Sequence, residues 1–305
     1  MANAEVGFIG LGNMGGAIVR RMLKTGVAVT VFDIDAETMR AFVAAGATAA
    51  SSVKDVADRA SLVLVCLPTG GFPGIAREAV QGGALQVYGE LSTMRPATMQ
   101  EIEDIVSARG VALVDAPVSG GVTIAERGEL SLMMAGTAEA TGRVAAALKS
   151  VTAHVFHVGA KPGQAQLCKL ANNAIGFTLF IASCEALVVG AAAGIAPAVL
   201  LEAVDAGRGR NSWTADKFGP HILSRTFDAG GKLGGGPKAL DLYLAEAEIL
   251  GMPRALVARA RDVWAKIATV LDPAKDFTTI IRYFEQFAGV ELRGPWPAGQ
   301  PAGRA

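Results

Sequence analysis

The chain has no excess of charge of either sign. Its 28 Lys and Arg residues balance 28 Asp and Glu residues among 305 positions, and no basic stripe stands out. Nucleic acid is therefore not expected as a partner, because proteins that bind its phosphates concentrate basic residues on one face. Hydrophobic residues make up 51% of the chain and charged residues only 18%. This composition excludes a disordered protein and predicts an extensive core.

Cysteine is also scarce. Cys66, Cys168 and Cys184 are widely spaced and lie in apolar surroundings. An odd count without a regular framework argues against disulfides and favours buried free thiols in a reducing compartment. The first residues also lack the basic start of a secretion signal. We therefore expect a cytoplasmic protein.

One apolar run, residues 174–201, has the length of a membrane span. Glu185 interrupts it, and no cluster of aromatic or basic anchors flanks it. Because a charged side chain at mid-bilayer is costly, we interpret the run as a helix buried by its own protein. No membrane partner is expected.

Through residue 157, short apolar runs rich in β-branched residues alternate with amphipathic stretches. This alternation is typical of a parallel sheet with helices on both faces. The predicted strands are 5–9, 28–32, 62–67, 86–91, 111–117, 130–135 and 154–158.

Helical patterns take over after residue 163. The predicted helices are 164–194, 197–206, 212–224, 237–250, 254–270 and 276–287. The sequence thus predicts an α/β protein with a doubly wound parallel sheet, followed by an all-α domain. Its predicted parts are a sheet domain (1–163), an all-helical substrate and dimerisation domain (164–290) that starts with a connecting helix (164–194), and a loose Gly- and Pro-rich tail (291–305).

The stretch "VGFIGLGNMGG" (6–16) gives the first functional signal. Gly10-x-Gly12-x-x-Gly15 follows the first predicted strand and opens a helix, which is the phosphate-binding pattern of a Rossmann domain. Asp33 ends the second strand, where a carboxylate accepts hydrogen bonds from the adenosine ribose and repels the 2′-phosphate of NADP. We expect NAD as the cofactor, with NADP possible if Asp33 turns away.

Four motifs follow one another along the chain: "GLGNMG" (10–15), "LSTMRP" (91–96), "DAPVSGG" (115–121) and "KLANN" (169–173). Together they resemble the β-hydroxyacid dehydrogenases, a family that includes 3-hydroxyisobutyrate dehydrogenase, tartronate semialdehyde reductase and, more distantly, 6-phosphogluconate dehydrogenase. The resemblance covers about residues 6 to 288.

This resemblance implies that Lys169 is the catalytic acid/base and Asn173 its partner. Lys169 lies among mostly apolar neighbours, and removal from water lowers the proton affinity of an amine. Asn173, four residues on, shares its helix face. The alternative for Lys169 is a lysine whose stem lies along an amphipathic helix while its amine stays in water.

The resemblance also implies that Ser119, Gly120 and Gly121 hold the acid group of a small carboxylate substrate. Successive backbone N–H groups with little side-chain cover suit a carboxylate, although an ordinary Ser-Gly-Gly loop is the alternative. Trp213 is predicted to form an apolar wall of the substrate pocket, with a core tryptophan as the alternative.

The glycine motif and the resemblance imply a set of cofactor-binding residues: Gly10, Gly12, Asn13, Met14, Gly15, Asp33, Leu67, Pro68, Thr93 and Lys238. The chain departs from the family pattern at four places, the first of which is Gly16-Ala17, where the family has Pro-Met. Leu240 stands where the family has a closing lysine, and Lys238, two residues earlier, either takes that role or is solvated. Ala165 replaces a glycine before the catalytic lysine, and Glu90 replaces an aspartate before the Ser-Thr loop.

We therefore predict NAD(P)-dependent oxidation of a small β-hydroxy acid, or reduction of the matching semialdehyde, by hydride transfer with Lys169 as general acid/base. No metal is required for this chemistry. An imine reductase and a non-catalytic dinucleotide-binding module are the alternatives, and Lys169 argues against both. The apolar surface of the helical part predicts a homodimer or homotetramer.

Overall fold

The computed structural model describes residues 6–68 and 70–295, and the chain divides into two compact units, Met1–Lys169 and Leu170–Ala305. The first unit is built on a nine-stranded sheet. Its strands are β1 (Val6–Ile9), β2 (Val29–Phe32), β3 (Thr48–Ala49), β4 (Leu62–Val65), β5 (Val87–Glu90), β6 (Ala112–Asp115), β7 (Val118–Ser119), β8 (Leu130–Ala135) and β9 (Thr152–Gly159).

The strand order is β3-β2-β1-β4-β5-β6-β8-β7, and β9 pairs with β8. The chain order reverses at β1, which lies between β2 and β4. In doubly wound sheets, ligands bind outside the carboxyl ends of the strands at such a reversal. The loop after β1 is the glycine motif, so the topology places that motif at the expected ligand-binding edge.

Helices cover both faces of this sheet. They are α1 (Asn13–Lys24), α2 (Ala36–Ala44), α3 (Val53–Arg59), α4 (Phe72–Ala79), α5 (Pro96–Ser107), α6 (Val122–Arg127) and α7 (Ala138–Ala147). Phe8 and Ile9 belong to different apolar clusters, because successive side chains of a strand point to opposite faces. Both faces of β1 are buried, which explains its continuous apolar run.

The doubly wound Rossmann fold and the helical second half are confirmed. The sheet is parallel from β3 to β6, whereas β8 runs antiparallel to β6 and β7. The sequence indicated neither this reversal nor the strands β3 and β7. An apolar run carries no sign of its direction, and strands of two residues are too short to show a period.

The second unit is helical. Its elements are the greater part of α8 (Gln164–Ala192), α9 (Pro197–Asp205), a π-helix (Thr214–Leu223), α10 (Gly235–Ile249), α11 (Ala255–Val270), a 3-10 helix (Phe277–Ile280) and α12 (Ile281–Ala288). The π-helix contains Pro220, whose missing N–H cannot take part in a regular α-helical ladder. Trp264, fully buried, donates a hydrogen bond from Nε1 to the carbonyl oxygen of Leu233 at 2.8 Å.

By length and composition α8 could cross a membrane. However, Phe180, Cys184 and Leu187 are buried in the apolar core of the second unit. Only 33% of its apolar window is buried, however, and Ile175 and Val189 on the same helix are exposed, so the expected burial of this run by its own protein holds only in part.

The unit boundary lies six residues beyond the predicted boundary at 163/164. The reason is local: the first turn of α8 is hydrogen-bonded to Asp115, at the end of β6. Of the predicted tail, residues 291–295 are described and 296–305 lie outside the described residues. Leu292 is buried, and its N–H donates to Glu285 at 2.8 Å.

Candidate active site

The glycine motif forms a tight turn between β1 and α1. Gly10 has φ +92°, and a Cβ at this position would collide with the carbonyl oxygen of Cys66. A Cβ at Gly15 would collide with the carbonyl oxygen of Gly10. Only glycine fits either position, so both are required for the close packing of this turn.

Gly12 differs from these two glycines because a Cβ there would meet nothing within 4 Å. Gly12 is exposed and precedes the first residue of α1, where Asn13 is exposed and Met14 half-buried. The first turn of α1 contains no acidic residue. Because first-turn N–H groups have no intrahelical partner and carry partial positive charge, this open position fits a pyrophosphate.

Asp33 follows β2 and faces the glycine motif. Its Oδ2 accepts a hydrogen bond from the Leu11 N–H at 2.6 Å, and its Oδ1 accepts one from the Asp35 N–H at 2.9 Å. The side chain therefore points towards the glycine loop. A carboxylate has about four lone-pair sites, so two remain for ribose hydroxyls. Asp35 instead caps α2.

Leu67, Pro68 and Thr93 lie in the loops after β4 and β5. Leu67 and Thr93 are half-buried and Pro68 is exposed. The Leu67 N–H donates to Ser92 Oγ at 2.8 Å, which joins the two loops. The fold thus brings these residues and the glycine motif to the same carboxyl edge of the sheet.

The "DAPVSGG" stretch makes a loop with unusual backbone angles. Ser119 ends β7, Gly120 has φ +143° and Gly121 has φ +87° before α6. A Cβ at Gly120 would lie 2.6 Å from Ile124 Cγ2, whereas the Cβ position at Gly121 is open. The loop leaves its backbone exposed at Gly120 and Gly121, which suits an anionic group.

Lys169 is half-buried on α8, near the end of the first unit. Burial lowers the pKa of its amine from 10.5 to about 8, and the charge of neighbouring Cys168 acts weakly in the opposite direction. An amine with this pKa exchanges protons near neutral pH. Asn173 is half-buried one helical turn further on, and Asn172 is exposed.

A buried polar cluster lies in the first unit, at the start of α8, and was not predicted from the sequence. It consists of Glu90, Ser92, Asp115 and Gln166, which we call the Gln166 cluster. Gln166 donates from Nε2 to Asp115 Oδ1 at 2.9 Å and to the Ser92 carbonyl oxygen at 3.0 Å. Its Oε1 accepts from the Met94 N–H at 2.9 Å.

Glu90 and Asp115 are register partners at the ends of β5 and β6. Burial raises the pKa of Glu90 from 4.5 to about 7 and that of Asp115 from 3.8 to about 6. Glu90 Oε1 accepts from the Ser92 N–H at 3.0 Å. A signal in the sequence could have found them, because each acid ends a buried apolar strand. Asp and Glu are rarely buried at such a position unless they have hydrogen-bond or ionic partners.

Two further predicted residues lie in the second unit. Trp213 is half-buried, stacks on Phe180 with ring centroids 4.5 Å apart, and donates from Nε1 to the Gly176 carbonyl oxygen. Lys238 is exposed in the first turns of α10, whereas Leu240 is fully buried. A buried Leu240 has no access to a ligand, and Lys238 stays the candidate for the role of the family's closing lysine.

Among residues 6–68 and 70–295, no three or more His, Cys, Asp or Glu side chains are grouped to hold a metal. The first unit contains a glycine turn, a carboxylate that faces the glycine loop and a lysine with a lowered pKa. These features define a dinucleotide-dependent oxidoreductase.

Comparisons with known proteins agree with this class. Residues 5–159 match the NAD binding domain of 6-phosphogluconate dehydrogenase, and residues 163–284 match the NAD-binding region of NADP-dependent 3-hydroxyisobutyrate dehydrogenase. A 3-hydroxyisobutyrate dehydrogenase of Pseudomonas aeruginosa is 33% identical over 273 residues, which are 86% of this chain and 91% of the relative.

Two further relatives are similar. The NAD-dependent L-serine dehydrogenase of Pseudomonas aeruginosa is 33% identical over 71% of this chain and 74% of its own. The structure of Mycobacterium tuberculosis 3-hydroxyisobutyrate dehydrogenase with L-serine has a TM-score of 0.80 at 25% identity, covering 92% and 98% of the two chains. The chain belongs to the β-hydroxyacid dehydrogenase family, and its cofactor is NAD(P).

Proposed function

We propose that this protein oxidises a small β-hydroxy acid, or reduces the matching semialdehyde, with Lys169 as general acid/base. The observation that carries the proposal is the half-buried amine of Lys169, whose pKa burial lowers to about 8. At pH 8 about half of such amines are neutral and can accept a proton. Asn173, one turn along α8, is proposed to hydrogen-bond the substrate hydroxyl.

Oxidation requires two transfers from the substrate. The neutral Nζ of Lys169 accepts the hydroxyl proton as the C=O bond forms, and the ammonium returns the proton in the reverse direction. The chemistry that NAD(P) would supply when bound is acceptance of the hydride from the carbon that bears the hydroxyl group. Backbone N–H groups at Ser119, Gly120 and Gly121 are proposed to hold the substrate carboxylate, which orients the hydroxyl-bearing carbon.

The proposed substrates are 3-hydroxyisobutyrate and L-serine, because the similar proteins are named for these two β-hydroxy acids. Trp213 is proposed to contact the substrate. The proposed cofactor contacts are Gly10, Gly12, Asn13, Met14, Gly15, Asp33, Leu67, Pro68, Thr93 and Lys238. NAD is the proposed preference because the Asp33 carboxylate would repel a 2′-phosphate.

The test measures formation of reduced nicotinamide by absorbance, with each acid and with NAD or NADP. We expect turnover with NAD above NADP, and loss of turnover in Lys169→Ala with NAD affinity unchanged. Asp33→Ala should narrow the difference between the cofactors. Full turnover in Lys169→Ala would refute the assignment of the acid/base, and a preference for NADP would refute the role of Asp33.

We also propose a cytoplasmic homodimer or homotetramer. The second unit exposes large apolar side chains on its helices, among them Val189 (69%), Leu256 (80%) and Phe287 (76%). Apolar surface on this scale favours association. Sedimentation equilibrium gives the state directly, and a monomer at all concentrations would refute the proposal.

A further inference from the structure

Gln166 is fully buried at the start of α8, and each polar group of its side chain is used. Nε2 donates both of its hydrogens, one to Asp115 Oδ1 and one to the Ser92 carbonyl oxygen, while Oε1 accepts from the Met94 N–H. Asp115 is the last residue of β6, and Ser92 and Met94 follow β5. A side chain bonded in this way has one rotamer and one direction.

Asp115 forms a second set of hydrogen bonds with the first turn of α8. Its Oδ2 accepts from the N–H groups of Gly163, Ala165 and Gln166 at 2.9, 3.0 and 3.2 Å. These are the N–H groups that a helix leaves without intrahelical partners. A carboxylate from the sheet, about 50 residues earlier in the chain, therefore caps α8 and favours its positive end.

The cluster also reaches the loop after β4. Ser92 Oγ accepts from the Leu67 N–H at 2.8 Å, and the Ser92 N–H donates to Glu90 Oε1 at 3.0 Å. Ser92 thus contacts the β4 loop, the β5 strand end and Gln166. The same few bonds fix the start of α8 relative to the loops that follow three neighbouring strands.

We propose that Gln166 is a positioning residue for Lys169, because it fixes the rotation of the first turns of α8, within the first unit, against the carboxyl edge of the sheet. Lys169 follows Gln166 by three residues, which is almost one helical turn. With a helix radius of about 5–6 Å including side chains, a rotation of about 10° moves a side-chain tip by about 1 Å. An error of about 1 Å in the position of a catalytic group costs up to about 100-fold in rate.

This inference rests on the proposed role of Lys169, and it has a readout that does not depend on activity. The groups of the cluster that can ionise are Glu90 and Asp115, with Tyr88 and Cys66 next to Glu90. The effects acting on the Lys169 amine are burial and the charge of Cys168. If α8 rotates or loosens, the amine gains water, and its pKa rises towards the ordinary value of 10.5.

The variants are Gln166→Leu, which keeps the approximate volume and loses the three side-chain bonds, and Gln166→Glu, which keeps the shape and loses the amide donors. The matched control is Gln164→Leu. Gln164 is a glutamine on the same turn, exposed, and its Oε1 accepts from the Lys161 N–H outside the cluster.

Two measurements are made on the full chain. The first is an NMR titration of ¹³C-labelled lysines, in which Lys169→Ala assigns the Lys169 signal. The second is the pH dependence of kcat and KM with L-serine and with 3-hydroxyisobutyrate, together with NAD affinity and thermal unfolding.

In Gln166→Leu we expect the pKa of Lys169 to rise by roughly half a unit or more, and kcat to fall by about 10- to 100-fold. NAD affinity should change less than threefold, and Gln166→Glu should show both effects to a smaller extent. Gln164→Leu should match the wild type. A role confined to stability would lower the unfolding temperature and leave the Lys169 pKa and kcat per folded molecule unchanged.

An unchanged pKa and kcat in folded Gln166→Leu would overturn the inference. If Gln166→Leu does not fold, the Lys169 pKa and kcat are measured in Gln166→Glu instead, and unchanged values there would overturn the inference. Failure of the proposed function gives a different result: Lys169→Ala would then retain turnover, whatever the Gln166 variants do to the titration.

Discussion

The two units each bury charged side chains, but they do so in different ways. In the second unit, Arg225 pairs with Glu285 through both guanidinium nitrogens, and Glu285 also accepts from the Leu292 N–H at 2.8 Å. In the first unit, Glu90 and Asp115 are register neighbours, and their described hydrogen bonds come from neutral groups: N–H groups, the Gln166 amide and the Tyr88 hydroxyl.

We interpret the Arg225–Glu285 pair as an interaction that stabilises the fold, and the Gln166 cluster as one that positions residues of the candidate site. A bidentate Arg–Glu pair compensates its own charges and fixes the segment around Leu292 to α12. Two buried acids side by side carry a cost, which their raised pKa values express. Such a cost persists where the arrangement also positions the loops at a ligand-binding edge.

The largest expected effect concerns Lys169→Arg. The guanidinium stays charged at all accessible pH values, so it cannot accept the substrate proton. We expect kcat for oxidation to fall by about 10²- to 10⁴-fold, as in Lys169→Ala, while unfolding is little changed. Steady-state rates from pH 6 to pH 10 provide the measurement. Recovery of the rate at high pH would contradict an acid/base role.

The second prediction breaks the ion pair of the second unit. Arg225→Ala leaves the buried Glu285 carboxylate without its cation, and we expect the free energy of unfolding to fall by about 3–5 kcal/mol. Urea denaturation provides the measurement, with Lys54→Ala as the control. Lys54 pairs with Asp58 at the surface, where an ion pair adds little. Equal unfolding midpoints in the two variants would show that the buried pair is not a structural tie.

The third prediction uses pH to examine Glu90. Its pKa is about 7 in the folded chain against an ordinary value of 4.5, so between these values the folded state holds a proton that the unfolded chain releases. The free energy of unfolding therefore falls as pH rises through this window, by about 3 kcal/mol from Glu90. Glu90→Gln should flatten that part of the profile.

The measurement is urea denaturation of wild type and Glu90→Gln at pH 5 and pH 7.5. We expect the wild type to lose more stability between the two pH values than the variant. Parallel profiles would mean that Glu90 ionises as freely in the folded chain as in the unfolded one.

The smallest expected effect separates two glycines of the same turn. A methyl group at Gly12 meets open space, whereas a methyl group at Gly15 meets the Gly10 carbonyl oxygen. Gly12→Ala should therefore keep the unfolding temperature and weaken NAD binding, while Gly15→Ala should lower the unfolding temperature. Titration calorimetry and thermal unfolding measure the two quantities. Full NAD affinity in Gly12→Ala would argue against close approach of a pyrophosphate at that position.

Much of the molecule follows from local sequence. Buried parallel strands need continuous apolar runs, so β1, β2 and β4 are visible as such. The glycine turn is local in part: a side chain at Gly15 would meet the Gly10 carbonyl oxygen within the same turn, whereas one at Gly10 would meet the Cys66 carbonyl oxygen, which only the folded sheet brings close. The candidate acid/base Lys169 and its partner Asn173 were predicted from the resemblance of "KLANN" to a family motif, which the apolar neighbours of Lys169 supported.

Tertiary structure alone decided the rest. The direction of β8 depends on which strand edge it meets, and its own residues do not encode that direction. The Gln166 cluster contains a hydrogen bond between residues 74 positions apart, Gln166 and Ser92. No period or motif connects Glu90 and Ser92 with Gln166 before the strands are paired. Sequence by itself determined the longer strands and helices and the glycine motif, whereas the packing of strand ends against the start of α8 determined which polar residues meet and how far burial moves their pKa values.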